Sequence, residues 1–150
     1  MLLLILPLLV GSLSGYLTRN KISGSYKNLK KPSFNPPNYI FGPVWTILYI
    51  LMGISLQIIS NKPNNEKTLI IFYVQLFLNF MWSIVFFNLN RLDFSIIIIL
   101  GMLTSIIFMI IYMRKINPLS GNLQIPYLLW VIFATILNIS IWWLNNPYKK

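Results

Sequence analysis

The sequence has no cysteine and no histidine. The first absence excludes disulfides, thiolate catalysis and sulfur-ligated metals; the second removes the commonest metal ligand and the usual neutral-pH general base. Acid is almost as scarce, because Glu66 and Asp93 are the only carboxylate side chains in 150 residues. Acid–base hydrolysis inside a membrane therefore lacks its groups, and no metal site is expected. Charged residues of every kind make up 9% of the chain, against about 25% in a soluble domain.

What remains is apolar. The chain is 57% hydrophobic with a mean hydropathy of +0.71. It carries five near-uncharged segments of about 20 residues, the length a helix needs to cross roughly 30 Å of hydrocarbon. A buried core helix would account for one such segment, not five. Membrane strands would be about ten residues long with strict alternation, which is absent. The reading is an all-α membrane protein: a single domain forming a five-transmembrane-helix bundle, with helices over about 2–18, 38–60, 68–88, 94–113 and 122–145. Segment one lacks the basic start and small-residue cleavage site of a signal peptide, so it counts as a span. Its Gly11 and Gly15 form a GxxxG pair suited to close helix packing, and Gly101 and Ser105 make a similar small-residue pair in segment four.

The net charge of +10 lies almost wholly between the apolar segments. That is the habit of juxtamembrane Lys and Arg, and no nucleic-acid partner is expected. With five spans, Arg19, Lys21, Lys27, Lys30, Lys31, Arg91, Lys149 and Lys150 share one side, against Lys62, Lys67, Arg114 and Lys115 on the other. The positive-inside rule then puts the N-terminus outside and the C-terminus in the cytoplasm, in what is expected to be a bacterial cell membrane.

Three stripes carry the chemistry. Phe41, Trp45 and Tyr49 follow at steps of four in segment two; Gln75, Asn79 and Ser83 do so in segment three; Pro126, Trp130, Ala134 and Asn138 do so in segment five. Amides facing lipid would leave donors and acceptors unpaired, so the second stripe should face the bundle interior. Trp142 and Trp143, at the end of segment five, suit the interfacial aromatic belt. Trp45 and Trp130 each stand about eight residues into a helix, roughly 12 Å deep. They approach the midplane from opposite faces. Two indoles at one depth, with amides opposite and Ala134 leaving space, make a cleft for a flat, partly apolar ligand. Ordinary core packing and interhelical hydrogen bonding are the alternatives.

Three blocks, KPSFNPPNYIFGPVWTILYILMG (31–53), YVQLFLNFMWSIVFF (73–87) and PYLLWVIFATILNISIWWLN (126–145), resemble the translocator protein family, also called tryptophan-rich sensory proteins or peripheral benzodiazepine receptors. Their order and spacing match that family's KPSWxPPxxxFGPVWTxLYxLMG, QLxLNxxWSxxFF and PYLxWxxFATxLNxxIWxLN patterns, and the five-helix frame covers the whole chain. The resemblance implies an often dimeric bundle with a pocket beneath the first loop. It implies porphyrin, haem or related tetrapyrroles as ligands, with benzodiazepine-type molecules also accepted and no cofactor required. The implied pocket residues are Trp45, Tyr49, Gln75, Asn79, Trp82, Trp130, Ala134, Leu137 and Asn138. Loop-one cations would meet ligand carboxylates. If the family's light-dependent porphyrin degradation holds, Trp45 and Trp130 would be its catalytic pair. Tetrapyrrole or sterol transport is a further alternative, although neither charged pore-lining residues nor broken-helix repeats are visible. Two departures stand out: Phe34 replaces the tryptophan of KPSW, and Ile139, Ser140 and Trp143 stand where the animal sterol-recognition segment would need a Tyr followed by a basic residue.

Overall fold

The computed structural model describes residues 2–146. Lys149 and Lys150, counted in the orientation argument, lie outside the described residues. Among the described residues all regular structure is helical, and five stretches are long and apolar enough to cross a membrane: Leu2–Ser23, Asn38–Ser60, Glu66–Asn88, Leu92–Ile116 and Pro118–Leu144. The expected five-helix membrane bundle is the fold.

The elements are α1 (Leu2–Ser23), α2 (Asn38–Ser60), α3 (Glu66–Ser83) with a π-helical turn over Ile84–Asn88, α4 (Leu92–Ile116), a short α5 (Pro118–Asn122) and α6 (Ile125–Leu144). Several extents differ from the sequence expectation. Helix α1 runs on to Ser23, so Arg19 and Lys21 sit on its last turns and loop one is shorter. Within the helix the Thr18 hydroxyl donates back to the Ser14 carbonyl at 2.8 Å. The fifth span opens with a separate turn, which Asn117 starts by accepting from the Ser120 N–H at 3.1 Å, with Pro118 at a first-turn position where its missing N–H costs nothing.

Loop one, the α3–α4 turn and the end of α6 gather at one end of the bundle. There Asn88 donates to the Leu17 carbonyl at 3.1 Å. Asn145 holds Lys30 twice, accepting from its N–H at 3.0 Å and donating to its carbonyl at 2.9 Å. Asn90 makes its turn in the left-handed region, at φ 52°, which its short polar side chain tolerates.

Helix α1 packs on α2 and α3, α3 on α4, and α4 on α6. Among the glycines the closest approach of a neighbouring backbone is at Gly53, where a Cβ would overlap the Leu4 carbonyl. Gly11, in the predicted GxxxG pair, instead receives the Tyr49 ring, while a Cβ on Gly15 would meet nothing within 4 Å. The core is built on Met52, Leu56, Phe72, Ile106 and Met109, all fully buried. At the far end Gln124 donates to the Leu51 carbonyl at 3.1 Å and to the Ser55 hydroxyl at 2.7 Å, tying the α5–α6 corner to α2.

Candidate functional site

A cavity of about 330 Å³ lies between α1, α2, the end of α3 and α6, in the loop-one half of the bundle. Ligand sites span roughly 300–1,000 Å³, so this one has room for a small organic molecule or part of a larger one. Seven of the nine predicted pocket residues line it: Trp45 and Tyr49 from α2, Trp82 from α3, and Trp130, Ala134, Leu137 and Asn138 from α6.

The aromatic stripe of α2 forms one wall. Trp45 stacks on Tyr49 with ring centres 5.6 Å apart and stands edge-on to Trp130 at 6.4 Å and 88°. Phe41, one turn nearer the start of α2, meets Trp130 at 5.9 Å and 67°. Rings crossed in this way set electropositive edges against electron-rich faces, worth about 0.5–1.5 kcal/mol per pair beyond area burial. Helices α2 and α6 thus meet across the cavity through aromatic side chains. Ala134 is buried one turn from Trp130 and, as a small residue, leaves the space open. The Trp130 indole N–H is buried and has no partner.

The opposite wall comes from the end of α3. Trp82 stacks on Phe86 at 5.1 Å and donates its indole N–H to Asn138 at 2.9 Å; Asn138 in turn donates to the Leu92 carbonyl at 3.3 Å. The π-helical turn presents Phe86 and Phe87 as neighbours on the cavity side. Both pack against Tyr26, at 5.9 and 5.2 Å.

Gln75 and Asn79 do not reach the cavity. They are buried behind Tyr49 in a hydrogen-bonded chain: Tyr49 donates to the Asn79 carbonyl oxygen at 2.8 Å, the Asn79 amide donates to the Tyr127 hydroxyl at 2.8 Å, and that hydroxyl donates to Gln75 at 2.7 Å. The physical reason is saturation. An amide in an apolar bundle takes the nearest partners, and two tyrosine hydroxyls from α2 and α6 supply them. Only the Gln75 amino group of this chain lacks a partner. Pro126 is exposed and also absent from the wall, whereas Ser83 is present.

None of Arg19, Lys21, Lys27, Lys30 and Lys31 lines the cavity either. Lys31 folds back on its own loop, donating to the Leu29 carbonyl at 3.1 Å and lying 4.6 Å over the Tyr26 ring. Desolvation there pushes its ammonium below the ordinary lysine value. Phe34, also absent from the cavity lining, meets the Phe133 ring at 6.4 Å. No group of side chains among the described residues is arranged to hold a metal ion.

Sequence reasoning missed Tyr127, Tyr26 and the Phe86–Phe87 pair. Tyr127 lay in the quoted PYLLW block, three residues before Trp130 and seven before Ala134, a spacing that puts it near their helix face and could have flagged it. The partnership with Tyr49 had no signal in spacing.

Residues 3–144 match the model described as the TspO/MBR family. The chain belongs to that family. It is 36% identical over 140 residues to a tryptophan-rich protein TspO of Archaeoglobus fulgidus, covering 92% of this chain and 91% of the relative. It is 35% identical over 128 residues to protein CrtK of Rhodobacter capsulatus, covering 83% and 80%. The human translocator protein is 30% identical over 129 residues, covering 83% and 76%. Of the five tryptophans here, Trp45, Trp82 and Trp130 stand around this cavity, and Trp142 and Trp143 are not among its lining residues.

Proposed function

We propose that the chain is a membrane receptor or sensor that binds porphyrins, haem or related tetrapyrroles in the aromatic cavity, linked to tetrapyrrole or stress regulation. The observation that carries this reading is the crossed pair of Trp45 and Trp130 beside the space left by Ala134. A flat conjugated ring finds indole faces and edges there and no competing charge. Benzodiazepine-type molecules share the flat aromatic chemistry and fit the same reading. Hydrogen bonding to the ligand falls to the Trp130 N–H and the wall hydroxyls, since Gln75 and Asn79 are engaged elsewhere. The loop-one cations act on ligand propionates as a positive field at that end of the bundle. The positive-inside orientation and a homodimer belong to the same proposal; protease protection in sealed vesicles and cross-linking in native membranes test them.

Titrating the purified protein with protoporphyrin IX should quench its tryptophan fluorescence. Trp45→Phe and Trp130→Phe should each weaken binding about 3- to 10-fold, the worth of one or two aromatic contacts. Unchanged affinity in both variants refutes the site.

One observation favours a second reading, light-dependent porphyrin degradation. Trp45 touches Tyr49, Tyr127 and Trp130, a contiguous set of oxidisable rings beside the ligand space. Under illumination in air a new product band should grow in the porphyrin spectrum with wild type and not with Trp45→Phe. A spectrum that bleaches equally without protein excludes this activity.

A further inference from the structure

We infer that ligand enters the cavity sideways from the bilayer, through a portal between α1 and α2, and not past loop one. The inference rests on the cavity being a ligand site; it adds the route, and with it the phase from which the ligand is drawn.

The loop-one end is shut by side chains in contact. Tyr26 forms the roof at 5% exposure, with Phe86 and Phe87 beneath it and the Lys31 ammonium over its ring. Asn145, from the end of α6, clamps the backbone of Lys30 at both its N–H and its carbonyl. Lys31 spends its donors on carbonyls within the loop. Lifting this roof would break the two Asn145 bonds and separate the ring cluster together.

The side between α1 and α2 is different. The helices are pressed together at Gly53 against Leu4 and at Gly11 against Tyr49. Beyond those contacts they part. Ser12 and Gly15 on α1 and Gly42 and Thr46 on α2 line the cavity and are themselves exposed, with Asn38 marking the loop-one end of the gap. A Cβ on Gly15 or on Gly42 would meet nothing within 4 Å. An exposed residue that also lines a cavity is a point where the cavity wall is open.

The opening lies at apolar depth. Gly42 and Thr46 are about 6 and 12 Å along α2 from Asn38, and Gly15 and Ser12 are about 6 and 10 Å before Arg19, the first charge on α1, at 1.5 Å per residue. The Thr46 hydroxyl is turned to the Gly42 carbonyl at 2.7 Å, so at that point the rim presents a methyl group, and its remaining polar side chains are the uncharged Ser12 and Asn38. Such a rim admits a planar apolar molecule already dissolved in lipid. A water-borne solute would have to cross the headgroup layer to reach it.

The test is stopped-flow tryptophan quenching with the full chain in lipid nanodiscs, mixed with phosphatidylcholine vesicles preloaded with protoporphyrin IX. Gly15→Phe and Gly42→Phe, placed where the structure has room for a side chain, should slow association at least 10-fold while the equilibrium quench is retained. Gly15→Leu and Gly42→Leu should fall between, and Asn145→Ala should associate at the wild-type rate. Wild-type rates in all four glycine variants, or faster entry in Asn145→Ala, overturn the side portal. A lost quench amplitude with an unchanged rate in the glycine variants overturns it too, because those positions would then shape the site and not its entrance. Absence of any quench with the wild-type protein refutes the ligand reading itself, and is told apart because no variant is needed to see it.

Discussion

Replacing Tyr127 with phenylalanine removes one oxygen and keeps the ring, which makes it a clean probe of the buried polar chain. That oxygen accepts from Asn79 at 2.8 Å and donates to Gln75 at 2.7 Å. The change strands an Asn79 N–H and the Gln75 carbonyl oxygen in a fully buried setting, next to a Gln75 amino group that already has no partner. Unsatisfied buried groups cost about 1–3 kcal/mol each in soluble proteins, whereas hydrogen bonds between membrane helices average about 0.6 and reach about 1.7 kcal/mol. Two lost bonds therefore predict a destabilisation of about 1–3 kcal/mol for Tyr127→Phe. Tyr49→Phe, which removes only the bond to Asn79 at 2.8 Å, should cost about half as much. The two losses meet at Asn79, so the double variant should depart from additivity by at least 0.5 kcal/mol, the lower end of coupling in shared networks. Unfolding by sodium dodecyl sulfate in mixed micelles, followed by circular dichroism, measures all three. Tyr39→Phe, at a site 78% exposed, supplies the baseline. The network is refuted as a structural element if Tyr127→Phe unfolds with the same midpoint as Tyr39→Phe. Porphyrin affinity should change less than 3-fold in Tyr127→Phe, because the edge it shows to Trp45 is retained; a larger loss would mean that the hydroxyl meets the ligand.

Three further outcomes are expected. Gly53→Ala forces a methyl into the Leu4 carbonyl and should cost about 1–3 kcal/mol through overpacking, while Gly15→Ala, with open space around it, should unfold like wild type in the same assay. Ala134→Leu should fill part of the cavity and reduce porphyrin affinity more than 10-fold without lowering the unfolding midpoint, a combination that titration and unfolding read separately. Burial holds the Tyr26 phenol above its ordinary value of 10.0, partly offset by the polar Asn35 side chain; its folded-state proton is held more tightly, so its contribution is present below pH 10 and is lost as pH rises through the folded value. The 295 nm absorbance difference between wild type and Tyr26→Phe should show that late ionisation.

The bundle was legible because membrane crossing leaves a coarse signature: five apolar runs of the right length and charges confined to their ends. The α2 and α6 stripes were legible for a similar reason, since steps of four fix which residues share a helix face. The stripe of α3 shows where that logic stops. Spacing correctly placed Gln75 and Asn79 inside the bundle and put Asn79 on the same face as Ser83, yet only Ser83 reaches the cavity. What spacing cannot supply is the partner, and Tyr49 and Tyr127 arrive from helices 30 and 48 residues away from Asn79. The π-helical turn was invisible because an i→i+5 bond, seen here from the Leu89 N–H to the Ile84 carbonyl at 3.0 Å, leaves no hydrophobic period behind.

The buried amides also explain how an aromatic cavity persists in so apolar a chain. Apolar contact alone leaves the spacing of α2 and α6 unspecified, since lipid and a neighbouring helix are equally apolar surroundings for their side chains. Hydrogen bonds do not slide as apolar contacts do. The Tyr49–Asn79–Tyr127–Gln75 chain fixes α2 and α6 to α3 at the depth of Trp45, and the Trp82–Asn138–Leu92 chain fixes α3 and α6 to the start of α4 nearer loop one. Between the two ties the helices are held at a set distance, with the small side chain of Ala134 facing the space between them. The buried amides are thus struts that keep the space available, and the cavity wall is left to aromatic rings, small residues and hydroxyls.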